Sequence, residues 1–214
     1  VQASILQVWA GNQFRLAWVE QDEFFSQMTA RIPMVKPGTL FLFNAIPLWM
    51  QSENSISSML NILYAHQNRP GEIDVYAYYD QDRFATEVLY PNSTEASSKH
   101  LIGTFLPVEG QILLFDLNPS GCMQLTDNAA NFPGWQIGKI IPKEAIMSDG
   151  TDQRIEERLR LYFSEKIGSF CVSYQQAVYA ASNGDWQRAV KLGEEALHEG
   201  FNSQYALEWE LFIM

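Results

Sequence analysis

A strand, a helix and a second strand joined by short connections constrain this chain more than any other feature. Thr39-Leu40-Phe41-Leu42-Phe43 is an apolar, aromatic-rich run bounded by turn residues, the pattern of a buried strand in mid-sheet. Over residues 55–66, Ile56, Met59, Leu60, Leu63 and Tyr64 recur at spacings of three and four, which predicts a helix capped by Ser55 or Asn54. After Arg69-Pro70-Gly71, residues 73–79 (Ile-Asp-Val-Tyr-Ala-Tyr-Tyr) read as a second strand. In that order the three form a βαβ unit, which crosses over onto a parallel sheet.

Upstream, Ile5, Trp9, Phe14, Trp18, Phe25, Met28 and Ile32 are assigned to one helical stripe over residues 1–32, in one helix or two in succession. Pro33 and Pro37-Gly38 end it. Downstream, residues 85–90, 110–117 and 122–126 read as strands, the last a hairpin partner across Asn118-Pro119-Ser120-Gly121. Residues 91–100 read as a loop, in which Asn92-Ser93-Thr94 fits a glycosylation acceptor pattern. Residues 128–150 are irregular. The expected fold is α/β, with a mixed, partly parallel sheet flanked by helices over residues 1–148, followed by a helical region over 150–214.

The 214 residues carry 14 Lys and Arg against 25 Asp and Glu, a net charge of −11, the opposite of the basic footprint of a nucleic-acid binder. No apolar run approaches the 18 or more residues of a membrane span. Cys122 and Cys171 are too far apart for a zinc knuckle, and either two buried thiols or one disulfide fits, with thiols favoured. Without an initiator Met, and ending within a helical pattern at Glu208-Trp209-Glu210-Leu211, the chain reads as a piece of something longer.

Residues 154–163 form a charged amphipathic helix, and 170–183 and 186–199 form an αα-hairpin joined by Asn183-Gly184-Asp185. Ala177, the Gly184-Asp185-Trp186 turn, Ala189 and Ala196-Leu197 resemble the small and turn positions of a tetratricopeptide repeat over residues 170–203, with 205–212 like the start of the next. The first helix lacks the usual Trp-x-x-Leu-Gly opening, Gly193 stands where a large residue is usual, and Phe201 replaces a Pro. One repeat cannot bury its own apolar face, so the resemblance implies neighbours or packing on the α/β part. In that part, Arg31-x-Pro33, Lys36-Pro37-Gly38-Thr39 and Asn118-Pro119-x-Gly121-Cys122 resemble the soluble region after the membrane spans of large bacterial multipass proteins, some similar to integral-membrane glycosyltransferases. That resemblance implies an extracytoplasmic accessory domain near a membrane.

The sharpest candidate for chemistry is Asp80-Gln81-Asp82 after the second strand, since two carboxylates one residue apart can share Mn²⁺ or Mg²⁺ on a nucleotide-sugar diphosphate. The second acidic pair and catalytic carboxylate of such glycosyltransferases are not evident, and Asp-x-Asp is also a common solvated turn. His66, His100 and His198 lack zinc spacing, and no nucleophile elbow or phosphate loop is present. Tyr76, Tyr78, Tyr79 and Phe84 could stack on a sugar, but alternating aromatics more often pack a core. The expected function is a non-catalytic interaction or assembly domain of a larger, membrane-linked bacterial protein, extracytoplasmic or membrane-peripheral, without a cofactor. Its anchors are Trp9, Phe14, Trp18, Trp186 and Trp209, and its partner is another protein or the membrane-embedded part of the same polypeptide. The alternative is a metal-dependent nucleotide-sugar glycosyltransferase fragment acting through Asp80 and Asp82.

Overall fold

The computed structural model describes residues 2–46, 48, 51–66, 70–85, 88, 98–100, 102–108, 110–118, 121–126, 153–162 and 169–201. The expected loop over 128–150 with its boundary, the Asn92 acceptor pattern and Trp209 lie outside the described residues.

The predicted βαβ unit is present as β1 (Thr39–Phe43), α2 (Glu53–Tyr64) and β3 (Val75–Tyr78), with β1 and β3 parallel. On its other side β1 runs parallel to β6 (Ile112–Leu117), which turns through a hairpin into antiparallel β7 (Met123–Thr126). The four-stranded sheet has the order β3-β1-β6-β7, mixed and mostly parallel, with β1 between two neighbours as its apolar run requires. Both faces of β1 are buried, which is why it reads as continuously apolar instead of alternating. Phe41 and Phe43 point to one face and Leu40 and Leu42 to the other.

The first face carries the larger core. Phe24, Phe25 and Met28 of α1 (Gln2–Arg31), Ile56, Leu60 and Leu63 of α2, and Ile155 of α4 (Gln153–Tyr162) pack on Phe41, Phe43, Leu113 and Phe115. The rings of Phe41 and Phe115 stack with centroids 5.7 Å apart, and Phe43 lies 5.0 Å from Phe115. The opposite face, Leu40, Leu42, Tyr76, Tyr78 and Leu114, is covered by Phe105 and Phe84. Phe105 belongs to a smaller sheet, β2 (Glu72–Ile73), β5 (Gly103–Phe105) and β4 (Ser98–His100) in the order β2-β5-β4, and Phe84 ends the short helix α3 (Gln81–Phe84).

Several sequence expectations are corrected at their edges. The N-cap of α2 is Ser52, three residues earlier than Ser55; its Oγ accepts from the Ser55 amide at 3.1 Å. The run over 73–79 divides between the two sheets because Asp74 breaks it. The Asp74 amide donates to Asn61 Oδ1 at 2.8 Å and its carboxylate accepts from the His66 amide at 2.9 Å. The strand expected over 85–90 does not begin at Ala85: Asp80 caps α3, and Ala85 has right-handed helical dihedrals at its end. Of the expected loop over 91–100, residues 98–100 are β4, and the rest lies outside the described residues. Gly38, with φ of +86°, accepts from the Val108 amide so closely that a Cβ would stand 2.5 Å from Val108 Cγ2.

The last two described helices are α5 (Phe170–Ser182) and α6 (Trp186–His198), capped by Ser169 and Asp185. Ala177, Ala180, Ala189 and Ala196 are buried, and small residues at these positions let the two helices approach closely. The hairpin is tied to the α/β part covalently, because Cys122 and Cys171 form a disulfide with Cα atoms 5.1 Å apart. The preference for free thiols is therefore overturned. The two cysteines are 49 residues apart in sequence, and the packing of α5 beside the start of β7 brings them together. Around the bridge, the Met123 amide donates to Gln27 Oε1 at 2.8 Å, Gln175 Nε2 donates to the Met123 carbonyl, and Ser169 Oγ bonds Glu23 at 2.5 Å.

These contacts also blunt the sheet edges. On edge strand β7, both backbone groups of Met123 are occupied by Gln27 and Gln175. On β3, Ser57 Oγ accepts from the Ala77 amide at 2.9 Å and Asn61 Nδ2 donates to the Val75 carbonyl at 2.7 Å. Polar side chains at these places replace the strand that would otherwise be recruited there.

Candidate functional site

Ligands of open α/β sheets gather beyond the strand C-termini, where connections leave in opposite directions. Here that place lies between β1 and β6, since the chain leaves β1 for β3 on one side and later places β6 on the other. The residues just past these strands are Asn44, whose Nδ2 lies 3.4 Å from Asp116 Oδ1, and, beyond β3, Tyr79, Asp80 and Asp82.

The best-defined polar group at this edge is one the sequence reading missed. Glu53, in the first turn of α2, is 3% exposed. Its Oε1 accepts from the Tyr79 and Asp80 amides at 2.9 and 3.0 Å, and its Oε2 pairs with Arg83 Nη1 at 2.5 Å. The Arg83 guanidinium stands 5.9 Å over the ring of Tyr76 and 6.0 Å over that of Tyr78, and reaches His100 Nδ1 at 3.3 Å. The imidazole of His100 stacks on Tyr76 with centroids 3.7 Å apart. Glu53 and Arg83 are 30 residues apart, so no local spacing announces the pair; a lone Glu after a Ser N-cap is an ordinary helix start.

The chemistry of this cluster is that of a clamp. The Glu53 carboxylate is engaged by three donors and holds the turn between β3 and α3 against α2. Asp80 is occupied locally: its Oδ1 accepts from the amides of Asp82 and Arg83 at 3.0 and 3.2 Å, an N-cap for α3. Asp80 and Asp82 are both exposed, and among the described residues no group of three or more His, Cys, Asp or Glu side chains is arranged to hold a metal ion. Of the aromatic group, Tyr76, Tyr78 and Phe84 are fully buried in the second core and only Tyr79 reaches the surface, its hydroxyl donating to the Gln51 carbonyl at 3.2 Å.

Burial raises the Glu53 pKa above the usual carboxylate value of 4.5, outweighing the lowering by the Asp80 and Tyr79 amides and by Arg83. Glu23, beside Ser169 in the joint between α1 and α5, is raised mainly by burial too. A carboxyl group whose folded pKa exceeds its unfolded one favours folding while protonated, so its contribution falls as pH rises from the unfolded pKa through the folded one. Both groups are thus expected to add stability on acidification. Urea midpoints measured at about pH 5 and about pH 7 should be higher at the lower pH. Glu23→Gln should narrow the difference; an unchanged gap would contradict Glu23's part in it.

The second candidate surface is on α1. A 30-residue helix spans roughly 45 Å, and only its second half is fully seated on the sheet. The expected single stripe divides accordingly: Phe25, Met28 and Ile32 are core, whereas Trp9, Phe14 and Trp18 are 58%, 65% and 49% exposed. The division follows position along the helix and not the angle: at 100° per residue Phe14 and Trp18 lie within about 20° of buried Phe25, while Trp9 stands about 140° from Phe14. Leu6, Val8, Leu16 and Val19 are exposed on the same half-helix. Trp186, at the start of α6, is 48% exposed.

No described helix is long and apolar enough to cross a membrane. No family model matches the chain, and neither a curated protein nor a solved structure matches it.

Proposed function

We propose that this chain is a non-catalytic assembly domain of a larger, membrane-linked bacterial protein, placed on the extracytoplasmic side. The observation that carries the proposal is the first half of α1, where seven large apolar side chains between Leu6 and Val19 stand in water on a helix whose second half is core. Monomeric proteins rarely leave so many large apolar side chains uncovered on one half-helix. Half-exposed tryptophans are the residues through which interfaces gain most of their energy. Trp186 on the tetratricopeptide-like hairpin is a second anchor of the same kind.

Placement outside the cytoplasm is supported by the Cys122–Cys171 bridge, since disulfides persist in oxidising compartments and are rare where glutathione and thioredoxin keep thiols reduced. The occupied backbone groups at the edges of the main sheet argue for docking through helices in preference to strand addition.

The test is Trp9→Ala and Trp18→Ala in the longer polypeptide. Association with the partner is expected to weaken about tenfold or more for each, with the unfolding free energy changed by less than about 1 kcal/mol. Association that survives both substitutions would make the aromatics internal packing and end the proposal.

A further inference from the structure

The exposed half of α1 carries a stripe that is complementary to itself. At 100° per residue, Val8, Trp9, Asn12, Leu16 and Val19 fall within an arc of about 100°, with Arg15 at its border. All six are exposed. Ala17, Phe24 and Met28, which face the protein, point about 130° away, and Phe14 and Trp18 lie on a third flank together with buried Phe25. Glu23 and Gln27, which tie α1 to α5 and β7, fall on the same side of the helix one and two turns further on, so a second helix meets the stripe only over residues 8–19.

We infer that its occupant is a second copy of this chain, packed antiparallel about a two-fold axis at Asn12. This rests on reading α1 as a contact surface and names its partner. In a two-fold interface every contact occurs twice, so residues equally far from the axis on either side must suit one another. Four residues away are Val8 and Leu16, an aliphatic pair. Three residues away are Trp9 and Arg15, an indole and a guanidinium that can stack as cation and π face. On the axis Asn12 meets Asn12, an amide that can donate and accept at once. In the single chain the Asn12 side-chain oxygen already accepts from Arg15 Nη2 at 3.1 Å, so both polar groups are held on the stripe.

Charge decides between the two possible orientations. Arg15 is the only charged residue from Ser4 to Val19, although the chain as a whole carries −11. A parallel, in-register pair would set Arg15 against Arg15 and Trp9 against Trp9. The antiparallel pair moves the two guanidinium groups roughly 9 Å apart along the axis and places each beside an indole. Leu16 and Val19 are only 40% and 42% exposed, so the six side chains bury less than the roughly 1,200 Å² of a standard specific interface, and the dimer is a weak one. The dimer is accordingly expected with a Kd on the order of 10–100 µM.

Sedimentation velocity from about 1 µM to about 300 µM should show a monomer passing into a dimer, and Leu16→Glu should raise the Kd about tenfold or more. Leu16 is exposed, so this variant keeps its fold, which its circular dichroism will check. Both native cysteines are in the disulfide, so an introduced cysteine supplies the only free thiol. On oxidation Asn12→Cys should cross-link to itself. Val8→Cys should cross-link with Leu16→Cys when the two are mixed, and much less with itself. Self-linking of Val8→Cys in preference to the mixed pair would overturn the antiparallel arrangement. A monomer at every concentration would overturn the second copy as occupant. If Trp9→Ala still weakens assembly of the longer polypeptide in that case, the assembly reading stands with a different partner; if it does not, both fall.

Discussion

Replacing Cys122 and Cys171 with Ser is expected to cost about 4 kcal/mol of stability. The bridge closes a loop of 49 residues, and the chain-entropy account places such a loop between the roughly 3 kcal/mol of a 15-residue closure and the roughly 4.7 of a 100-residue one. For a chain of this size each kcal/mol shifts the melting temperature by about 2–4 °C, so a fall of roughly 8–16 °C is expected. The loss should be felt at the joint of α5 with α1 and β7, where the other ties among the described residues include the hydrogen bonds of Gln27, Gln175 and Ser169 and a small apolar cluster. Thermal unfolding followed by circular dichroism, with and without reductant, checks this. The reduced wild-type protein should melt with the Ser variant and well below the oxidised one. Coincident oxidised and reduced curves would contradict a structural bridge and remove the support it lends to an extracytoplasmic placement.

Glu53→Ala is expected to be nearly as severe, at about 3 kcal/mol. Removing one partner of a buried ion pair costs about 3–5 kcal/mol. Arg83 is 32% exposed and regains water, which favours the lower end of that range, but the Tyr79 and Asp80 amides also lose their acceptor. Glu53→Gln keeps an acceptor oxygen for the two amides and removes a charge that burial disfavours, so it should cost less than about 1 kcal/mol. Urea denaturation of the three proteins measures the order. A loss below about 1 kcal/mol for the Ala variant would mean that water replaces the carboxylate and that the clamp at the end of β3 is dispensable.

The sequence shows its periodic elements and hides its long-range joints. The apolar run at Thr39 and the spacing of Ile56, Leu60 and Leu63 are local consequences of burial on both faces of a strand and one face of a helix, so β1 and α2 could be read directly. Asp74 could not: one polar residue inside an otherwise continuous β pattern divides the run between two sheets only because Asn61, on the preceding helix, is there to bond it. Likewise Glu53, Arg83 and His100 meet through folding, at separations no spacing rule covers. The cysteines show the same limit, since their identity is local and their pairing depends on where α5 lands. For α1 the exposed Trp9, Phe14 and Trp18 were legible as large apolar residues on a helix. What a helical pattern alone does not state is which half of a long helix has something to pack against.

The central claim is that the first half of α1 is a surface awaiting a partner, and amide hydrogen exchange along that helix tests it most directly. In the dilute chain, amides of residues 24–31, seated on Phe43 and Phe115, should be protected, while those of residues 4–19 exchange rapidly, because an unsupported helical extension has little stability of its own. On association, at high concentration or within the longer polypeptide, the account predicts that residues 4–19 become protected and residues 24–31 do not change. Equal, rapid exchange of residues 4–19 in every state, or full protection already in the dilute monomer, would contradict it.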